Sequence, residues 1–153
     1  MAQLHCRAAQ KEDLPELVAM LADDFLGKGR GDTFTQALPQ SYYDAFAAIH
    51  ANPHQSLIVA QLDLQIVGCY QLSLIPGLSY QGAWKAIIEA VRIASPWRGQ
   101  GLGRQLLAHA IDLARSKGAR SLELTTHKQR KDAQRFYDGL GFKNSHEGYK
   151  LEL

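Results

Sequence analysis

The stretch "PWRGQGLGRQLLAHAIDLA", residues 96–114, places Gly99, Gly101 and Gly103 where an apolar-periodic run begins. Leucines and alanines then recur at helical spacing, which predicts an amphipathic helix entered through a glycine-rich turn. The first N–H groups of a helix have no partner within it and carry a partial positive charge. Glycines ahead of them let the backbone turn tightly and approach an anion without an interfering Cβ. The stretch therefore predicts a phosphate-binding turn, flanked by Arg98 and Arg104.

Two familiar phosphate-binding loops do not fit this turn. A Walker loop ends in Gly-Lys followed by Ser or Thr, whereas Gly103 is followed here by Arg104 and Gln105. A dinucleotide-binding fingerprint follows the first strand of a parallel series, whereas this turn comes late in the chain. The remaining alternative is a tight strand-to-helix connection with structural glycines, which the alternate spacing and the flanking arginines disfavour.

Composition bounds the class of protein. The 153 residues carry 17 Lys and Arg against 15 Asp and Glu, a balance that argues neither for nor against nucleic acid, and we expect no nucleic-acid partner. No segment approaches the roughly 20 apolar residues that span a bilayer. Cys6 and Cys69 lie in apolar stretches, so core thiols of a reducing compartment are favoured over a disulfide. The histidines show no metal-ligand spacing. We therefore expect a cytoplasmic protein without membrane association or a metal.

Periodicity along the rest of the chain predicts one mixed α/β domain over residues 1–153, in the order β-α-α-β-β-β-α-β-α-β. The apolar set of the first helix runs from Leu14 to Phe25, and a hairpin turn is expected at about Asp63. Gly118 is a stop signal for the helix that follows the glycine turn. A strand is predicted in 120–126, a short helix in 131–141 and a final strand in "YKLEL", residues 149–153.

Two motifs carry a family resemblance. The spacing Arg98-x-x-Gly101-x-Gly103 resembles the pyrophosphate-binding signature R/Q-x-x-G-x-G/A of the GNAT superfamily of acyl-CoA-dependent N-acyltransferases. "DAQRFYDGLGF", residues 132–142, resembles the family's second cofactor element, A-x-x-F-Y-x-x-x-G-F. The order of elements is also similar, so the resemblance covers nearly the whole chain. The matching residues of the second element are Ala133, Phe136, Tyr137, Gly141 and Phe142.

The resemblance implies a GNAT-like fold, in which a central, mostly antiparallel sheet is flanked by about four helices and its strands splay at the acyl-CoA site. It implies acetyl-CoA as co-substrate, with Arg92 and Ile93 pairing with the pantetheine arm like an added strand. Phe136 belongs to the second cofactor element, where many relatives carry Asn at the position of Arg130. Backbone groups of the glycine turn, with Arg104 at the helix start, would bind the pyrophosphate: Arg98, Gly99, Gln100, Gly101, Leu102 and Gly103.

The implied reaction is direct attack of a neutral amine on the thioester, which needs a base, an oxyanion donor and an acid for the departing thiolate. Tyr137 matches the family's tyrosine and is the candidate acid, because a phenol with a pKa near ~10 can donate a proton at neutral pH. Otherwise it is a core aromatic beside Phe136. Glu89, in the apolar run "AIIEAV", is the candidate base, since partial burial would raise its pKa. The alternatives are a salt bridge to Arg92 or plain exposure to solvent.

The sequence therefore predicts an acetyl-CoA-dependent N-acetyltransferase that acts on a primary amine, with a small molecule favoured as acceptor. The alternatives are a peptide or protein N-acetyltransferase and a non-catalytic module that binds or senses acyl-CoA. The acceptor is expected to contact residues 25–43 and 75–84. The family resemblance is also compatible with a homodimer, which no sequence feature demonstrates.

Overall fold

The computed structural model describes residues 2–23 and 37–153 of the chain. The chain forms two compact units, Met1–Glu123 and Leu124–Leu153. The first unit holds the sheet, and the second holds the last of the helices. Phe25, predicted at the end of the first helix, lies outside the described residues, as does most of the 25–43 stretch expected to contact the acceptor.

A five-stranded sheet forms the centre of the first unit, and its spatial order is the order of the chain. The first three pairings are antiparallel and the last is parallel, so the predicted mostly antiparallel sheet is confirmed. The first hairpin turns at Asp63, where it was expected, and the backbone there has a φ of 52°. The strands are β1 (His5–Ala8), β2 (Gln55–Leu62), β3 (Gln65–Pro76), β4 (Trp84–Ile93) and β5 (Leu122–Glu123).

The described residues form four α-helices of nine residues or more, three in the first unit and one in the second. The glycine-preceded helix ends at Ser116 and is followed by Gly118 at a φ of 82°, which confirms the predicted stop. None of the described helices is long and apolar enough to cross a membrane. The helices are α1 (Leu14–Ala22), α2 (Gln40–Ala51), α3 (Leu102–Ser116) and α4 (Lys131–Gly139).

Apolar side chains cover both faces of the sheet. On one face, Leu14, Leu17 and Met20 of the α1 region pack with Val59 and Cys69 of the strands. On the other face, α3 contacts β3 and β4. Its predicted apolar stripe is buried at Leu102, Leu106, Leu107, Ala110 and Ala114.

An ion pair between a buried carboxylate and a partly buried guanidinium connects β1 to the start of α1. Asp13 is 8% exposed, and its carboxylate accepts hydrogen bonds from both terminal nitrogens of Arg7, at 2.7 and 3.0 Å. The same carboxylate accepts the backbone N–H of Gln10 at 2.7 Å. The Arg7 guanidinium holds the pKa of Asp13 below its usual range, because it stabilises the charged form.

Two predicted strands differ from the structure. The strand expected in 120–126 is reduced to Leu122–Glu123, and residues 142–153 form no helix or strand, so the prediction of a strand at 149–153 was wrong. A strand is defined by the ladder that pairs its backbone, and alternation in sequence cannot supply that partner.

We expect Asp13→Asn to destabilise the fold by about 1–3 kcal/mol at pH 7, because it removes a charge-assisted hydrogen-bond network. The folded-state pKa of Asp13 is depressed, so its contribution is present above the unfolded value of about 3.9 and is lost as the pH falls through the folded value. Urea unfolding of both proteins at pH 7 and pH 3 measures the two differences.

The matched control is Asp132→Asn, which removes an exposed pair with Arg135 and should change stability little. A stability difference between Asp13→Asn and the parent that is as large at pH 3 as at pH 7 would contradict the role assigned to the ionised Asp13.

Candidate functional site

The turn from β4 into α3 has the backbone geometry that the sequence predicted. A 3₁₀ turn at Ser95–Trp97 precedes Gly99 at a φ of 74° and Gly101 at a φ of 80°. An added Cβ would meet nothing within 4 Å at either glycine, so it is the left-handed conformation and not space that calls for glycine there. Gly103 lies inside the first turn of α3 and has no positive φ.

The N-terminus of α3 is left available by this turn. Gly101 is the N-cap residue, and no side chain caps the helix there. The N–H groups of the first helical turn therefore carry the partial positive charge of a helix end without a side-chain acceptor from the cap residue. Arg104 is exposed in the same turn and adds a full positive charge. Together these groups can bind a phosphate or pyrophosphate.

Side chains brace the turn against the end of β4. Arg98 Nε donates to the carbonyl oxygen of Ile93 at 2.9 Å, and Gln100 Nε2 donates to that of Pro96 at 3.2 Å. The backbone N–H of Trp97 donates to the carbonyl oxygen of Ala94 at 2.9 Å. The side chains of Arg98 and Gln100 thus stabilise the turn. The backbone of the turn is left to face a ligand.

Strand β4 is paired unequally on its two sides. On the β3 side the ladder runs from Pro76 opposite Trp84 to Gly68 opposite Ile93. On the β5 side, the ladder within the described residues consists of Ala86 with Leu122 and Ile87 with Glu123. From Ile88 to Ile93, β4 takes part in no further ladder pair with β5. The residues predicted to bind pantetheine, Arg92 and Ile93, lie in this second half of β4.

A β-bulge interrupts β4 in its second half, between Glu89 and Arg92. Between the Gln71–Glu89 and Cys69–Arg92 pairs, Ala90 and Val91 both face the single residue Tyr70. Ala90 has a φ of 52°, a conformation that alanine seldom adopts. The extra residue of a bulge leaves the regular ladder and redirects the backbone, and bulges are frequent next to active sites. The sequence "AIIEAVRI" contains no glycine or proline to indicate it.

A buried thiol contacts the bulge. Cys69 Sγ donates to the carbonyl oxygen of Ala90 at 3.5 Å, and Cys69 is 2% exposed. Burial raises the pKa of this thiol to about 12, so it stays a protonated donor. Cys6 is also a free thiol, in agreement with the expectation that the two cysteines do not form a disulfide. The thiol of Cys69 therefore helps to hold the strained backbone in place.

Glu89 immediately precedes the bulge, and its side chain is exposed. Of the environments considered for it, partial burial, pairing with Arg92 or exposure to solvent, the structure shows a carboxylate in contact with solvent. The opposing residue on β3 is Gln71. A role of Glu89 as base therefore depends on its position beside the bulge.

Two further residues connect β3 with α3, and neither was singled out in the sequence. The hydroxyl of Tyr70, which is fully buried, lies 2.7 Å from Nδ1 of His109. Burial raises the pKa of Tyr70 and lowers that of His109, so both groups are held neutral. This pair joins the central strand to the helix that begins at the glycine turn. In the sequence, the polar hydroxyl of a tyrosine inside the apolar run "IVGCYQL" was the signal that could have indicated this pair.

The second unit holds the other predicted residues. Tyr137 is partly buried on α4, with the ring of Phe136 at 5.3 Å and that of Phe142 at 5.7 Å between centroids. Both neighbouring rings meet it edge to face, an arrangement that favours a fixed orientation. Arg130, which stands where relatives carry Asn, is the N-cap residue of α4. Among residues 2–23 and 37–153, no group of His, Cys, Asp and Glu could hold a metal ion.

Comparison with known proteins identifies the family. The acetyltransferase (GNAT) family matches residues 17–142. The chain belongs to this family. It is therefore an acetyl-CoA-dependent acyltransferase with the expected fold.

This GNAT protein is similar to several proteins whose activity or structure is described. It is 37% identical over 107 residues, 70% of this chain and 69% of the relative, to an aminoalkylphosphonate N-acetyltransferase from Salmonella typhimurium. A solved structure described as a transcriptional regulator from Bacillus halodurans is 47% identical, with a TM-score of 0.94, covering 99% of this chain and all of that one. An aminoglycoside N-acetyltransferase in complex with CoA has a TM-score of 0.78 at 16% identity, covering 100% and 96%, and shares the fold.

Gly68, which was not among the predicted site residues, controls the distance between β3 and β4 in this GNAT protein. A Cβ added to Gly68 would lie 2.8 Å from the carbonyl oxygen of Arg92 and 2.9 Å from Cδ1 of Ile93. Real Cβ atoms do not approach backbone this closely, so β4 would have to move. The position opposite Ile93 is therefore restricted to glycine by close approach, although its φ is ordinary.

We expect Gly68→Ala to destabilise the protein by about 1–3 kcal/mol, the usual cost of overpacking a filled interior. Urea unfolding measures the difference, and Gly139→Ala is the control because a Cβ there meets nothing within 4 Å. Equal stability of Gly68→Ala and the parent would show that β4 moves aside freely.

Proposed function

We propose that this GNAT protein transfers the acetyl group of acetyl-CoA to the primary amine of a small molecule, by direct attack of the neutral amine on the thioester. The observation that carries the proposal is the combination, within one segment, of a β4 edge beyond its last ladder pair with β5 and an uncapped α3 N-terminus. The first suits an extended thioester arm and the second suits a pyrophosphate. We further propose that residues 1–153 act as one N-acetyltransferase domain, which the family match across both units supports.

The pyrophosphate is assigned to the glycine turn. Gly99 and Gly101 hold the backbone so that the first N–H groups of α3, at Leu102 and Gly103, point out of the helix end. The exposed Arg104 adds charge complementarity. The backbone of Arg98 and Gln100 completes the turn, since their side chains are engaged with carbonyl oxygens.

The pantetheine arm is assigned to the edge of β4 that faces away from β3. Ladder pairs with β5 stop at Ile87, so the strand from Ile88 to Ile93 can receive the amide groups of the arm as an added strand. Arg92 and Ile93 lie nearest the glycine turn on this edge. Phe136, on α4, is the proposed contact from the second cofactor element.

The reacting thioester is assigned to the bulge. The arm enters past Ile93 and runs toward Ala90, where the backbone leaves the regular ladder. Backbone N–H groups at such an irregularity can donate to the thioester oxygen as negative charge develops on it. Bracing by Cys69 would keep this donor oriented before the substrate arrives.

Glu89 and Tyr137 are assigned the two proton transfers. The amine nitrogen bonds to the carbonyl carbon, the carbon–sulfur bond breaks, and CoA leaves as thiolate. Glu89 accepts the proton released by the amine, either directly or through one water, which its exposure permits. Tyr137 donates its hydroxyl proton to the thiolate. Each transfer leaves the products neutral at the reacting atoms.

The small-molecule acceptor is supported by the relative that covers most of this chain. That relative is named for aminoalkylphosphonates, which are small primary amines bearing an anionic group. The chain itself has a small net charge, with 17 Lys and Arg against 15 Asp and Glu. We therefore propose a small amine over a peptide.

An amine panel tests the proposal. We expect the protein to release free thiol from acetyl-CoA only when an amine is added, with aminoalkylphosphonates among the small amines and a set of peptide N-termini as the second arm. Detection of the thiol gives the rate, and mass spectrometry identifies the acetylated product. Acetylation of peptides alone would overturn the small-molecule assignment. Cofactor binding without release for any amine would favour the acyl-CoA-binding module.

In the same assay, Tyr137→Phe should lower kcat by about 10²-fold or more while leaving the affinity for acetyl-CoA unchanged. The ring and its packing on Phe136 and Phe142 are retained, so only the hydroxyl is lost. Tyr149→Phe is the matched control, because Tyr149 is 94% exposed. An unaltered kcat for Tyr137→Phe would remove it from the mechanism.

A pair of glycine variants tests the pyrophosphate assignment. Gly101→Ala and Gly118→Ala both put a Cβ on a left-handed residue with open space around it, so each should cost roughly 1–2 kcal/mol of stability. Only Gly101→Ala reshapes the start of α3, and we expect it alone to weaken CoA binding by about tenfold, which calorimetry measures. Equal affinities for the two variants would contradict the assignment.

A further inference from the structure

Gln71 on β3 lies directly opposite Glu89 on β4, and the two side chains share one face of the sheet. Residues opposite one another in an antiparallel pair have Cβ atoms about 4.5–5.5 Å apart, so the ends of their side chains can reach a common small group. Two residues earlier on the same face of β3, Cys69 belongs to the apolar cluster that includes Leu17 of α1. Gln71 is thus a polar residue next to an apolar cluster, beside the proposed base.

The carboxamide of Gln71 is available to a ligand. Gln71 is partly buried, and its side chain has no hydrogen-bond partner within the described part of the chain. The next polar residue on the same face differs, because Ser73 Oγ accepts a hydrogen bond from Gln55 Nε2 at 3.4 Å. A polar group that is withdrawn from water without a partner costs free energy. A ligand that hydrogen-bonds to Gln71 would remove this cost.

The hydrogen-bonding capacity of an amine matches this pair of residues. A neutral primary amine has two N–H groups and one lone pair. When one N–H is donated to Gln71 Oε1 and the other to the Glu89 carboxylate, the lone pair is left to face the thioester carbon. The bulge to which the thioester is assigned begins at the next residue, Ala90. A secondary amine has a single N–H and cannot donate to both oxygens.

We propose that Gln71 binds the acceptor and selects primary over secondary amines, because its carbonyl oxygen accepts one N–H of the acceptor while Glu89 accepts the other. This inference rests on the proposed acetyl transfer and adds a specificity-determining residue to it. The amine nitrogen bonds to the thioester carbon, and Glu89 receives the proton of the N–H that it holds. The N–H held by Gln71 is not transferred and remains on the amide product.

A pair of acceptors that differ by one methyl group tests the proposal. We measure kcat/KM for aminoethylphosphonate and its N-methyl derivative, and for every other small amine that the panel identifies, each with its own N-methyl derivative. We expect the parent protein to prefer the primary amine and Gln71→Leu to reduce that preference by about tenfold, as the loss of one hydrogen bond does. Because the two amines are compared within each protein, their intrinsic difference in reactivity cancels between proteins.

Gln65→Leu is the matched control, because Gln65 is an exposed glutamine at the start of the same strand, opposite Leu62. Its preference should equal that of the parent protein. Calorimetric titration of each amine into the complex with CoA gives the same preference as a ratio of dissociation constants, so a slow variant is still measured. The affinity for CoA should be equal in all three proteins, and circular dichroism checks that each is folded.

An unchanged preference in Gln71→Leu would overturn the proposal, since the methyl group would then be excluded by its size alone. A parent protein that accepts both amines equally well contradicts it too, and so does an equal loss of preference in Gln65→Leu. These outcomes leave acetyl transfer itself intact. A parent protein that releases no thiol with any amine would instead overturn the proposed function, and the role of Gln71 with it.

Discussion

The ladder between β3 and β4 runs from the Pro76–Trp84 pair to the Gly68–Ile93 pair, whereas the ladder between β4 and β5 covers two pairs at the start of β4. Pairing with β3 on both sides of the bulge fixes the course of β4. Early loss of pairing on the other side leaves a strand edge with its direction already determined. A ligand with amide groups can then bind as an added strand without ordering the protein, which reduces the entropic cost of binding.

The same strand leads directly into the helix whose N-terminus is the second half of the proposed site. Helix α3 is positioned by its buried leucines and by two polar contacts. The Tyr70 hydroxyl contacts His109. Gln105 Oε1 accepts the backbone N–H of Leu4 at 3.0 Å. A helix end attracts an anion only within its first turn, so its placement must be accurate. Packing along the length of α3 provides that accuracy, and the glycine turn joins it to β4.

Sequence reasoning recovered the features that depend on local chemistry. The glycine turn, the α3 stripe and the Gly118 stop are each encoded by residue types at short spacing, and each is present. The bulge at Ala90 and the close approach at Gly68 depend on which strands become neighbours, and no local signal in "AIIEAVRI" or "IVGCYQL" specifies that. The strand predicted at 149–153 was wrong for the same reason, because alternation in sequence does not specify a pairing partner, and no described ladder includes this segment.

The exposure of Glu89 has a similar origin. An isolated carboxylate in an apolar run suggested burial, yet the run belongs to a strand whose sides face different surroundings. Ile88 is 1% exposed, and the adjacent Glu89 points to the other face. Its environment is thus set by what lies beyond the strand and not by its neighbours in sequence.

Ala90 shows how much of the site depends on the sheet around it. A left-handed alanine costs on the order of 1–2 kcal/mol, and it persists only where the surroundings determine the backbone more strongly than its own preference. Here the Gln71–Glu89 and Cys69–Arg92 pairs fix the strand on both sides of the bulge, and the Cys69 thiol holds its carbonyl oxygen. Glycine would adopt this conformation more easily, but it would also leave it more easily. An alanine confined by its neighbours gives backbone groups a fixed direction, which is what the proposed stabilisation of a developing oxyanion requires.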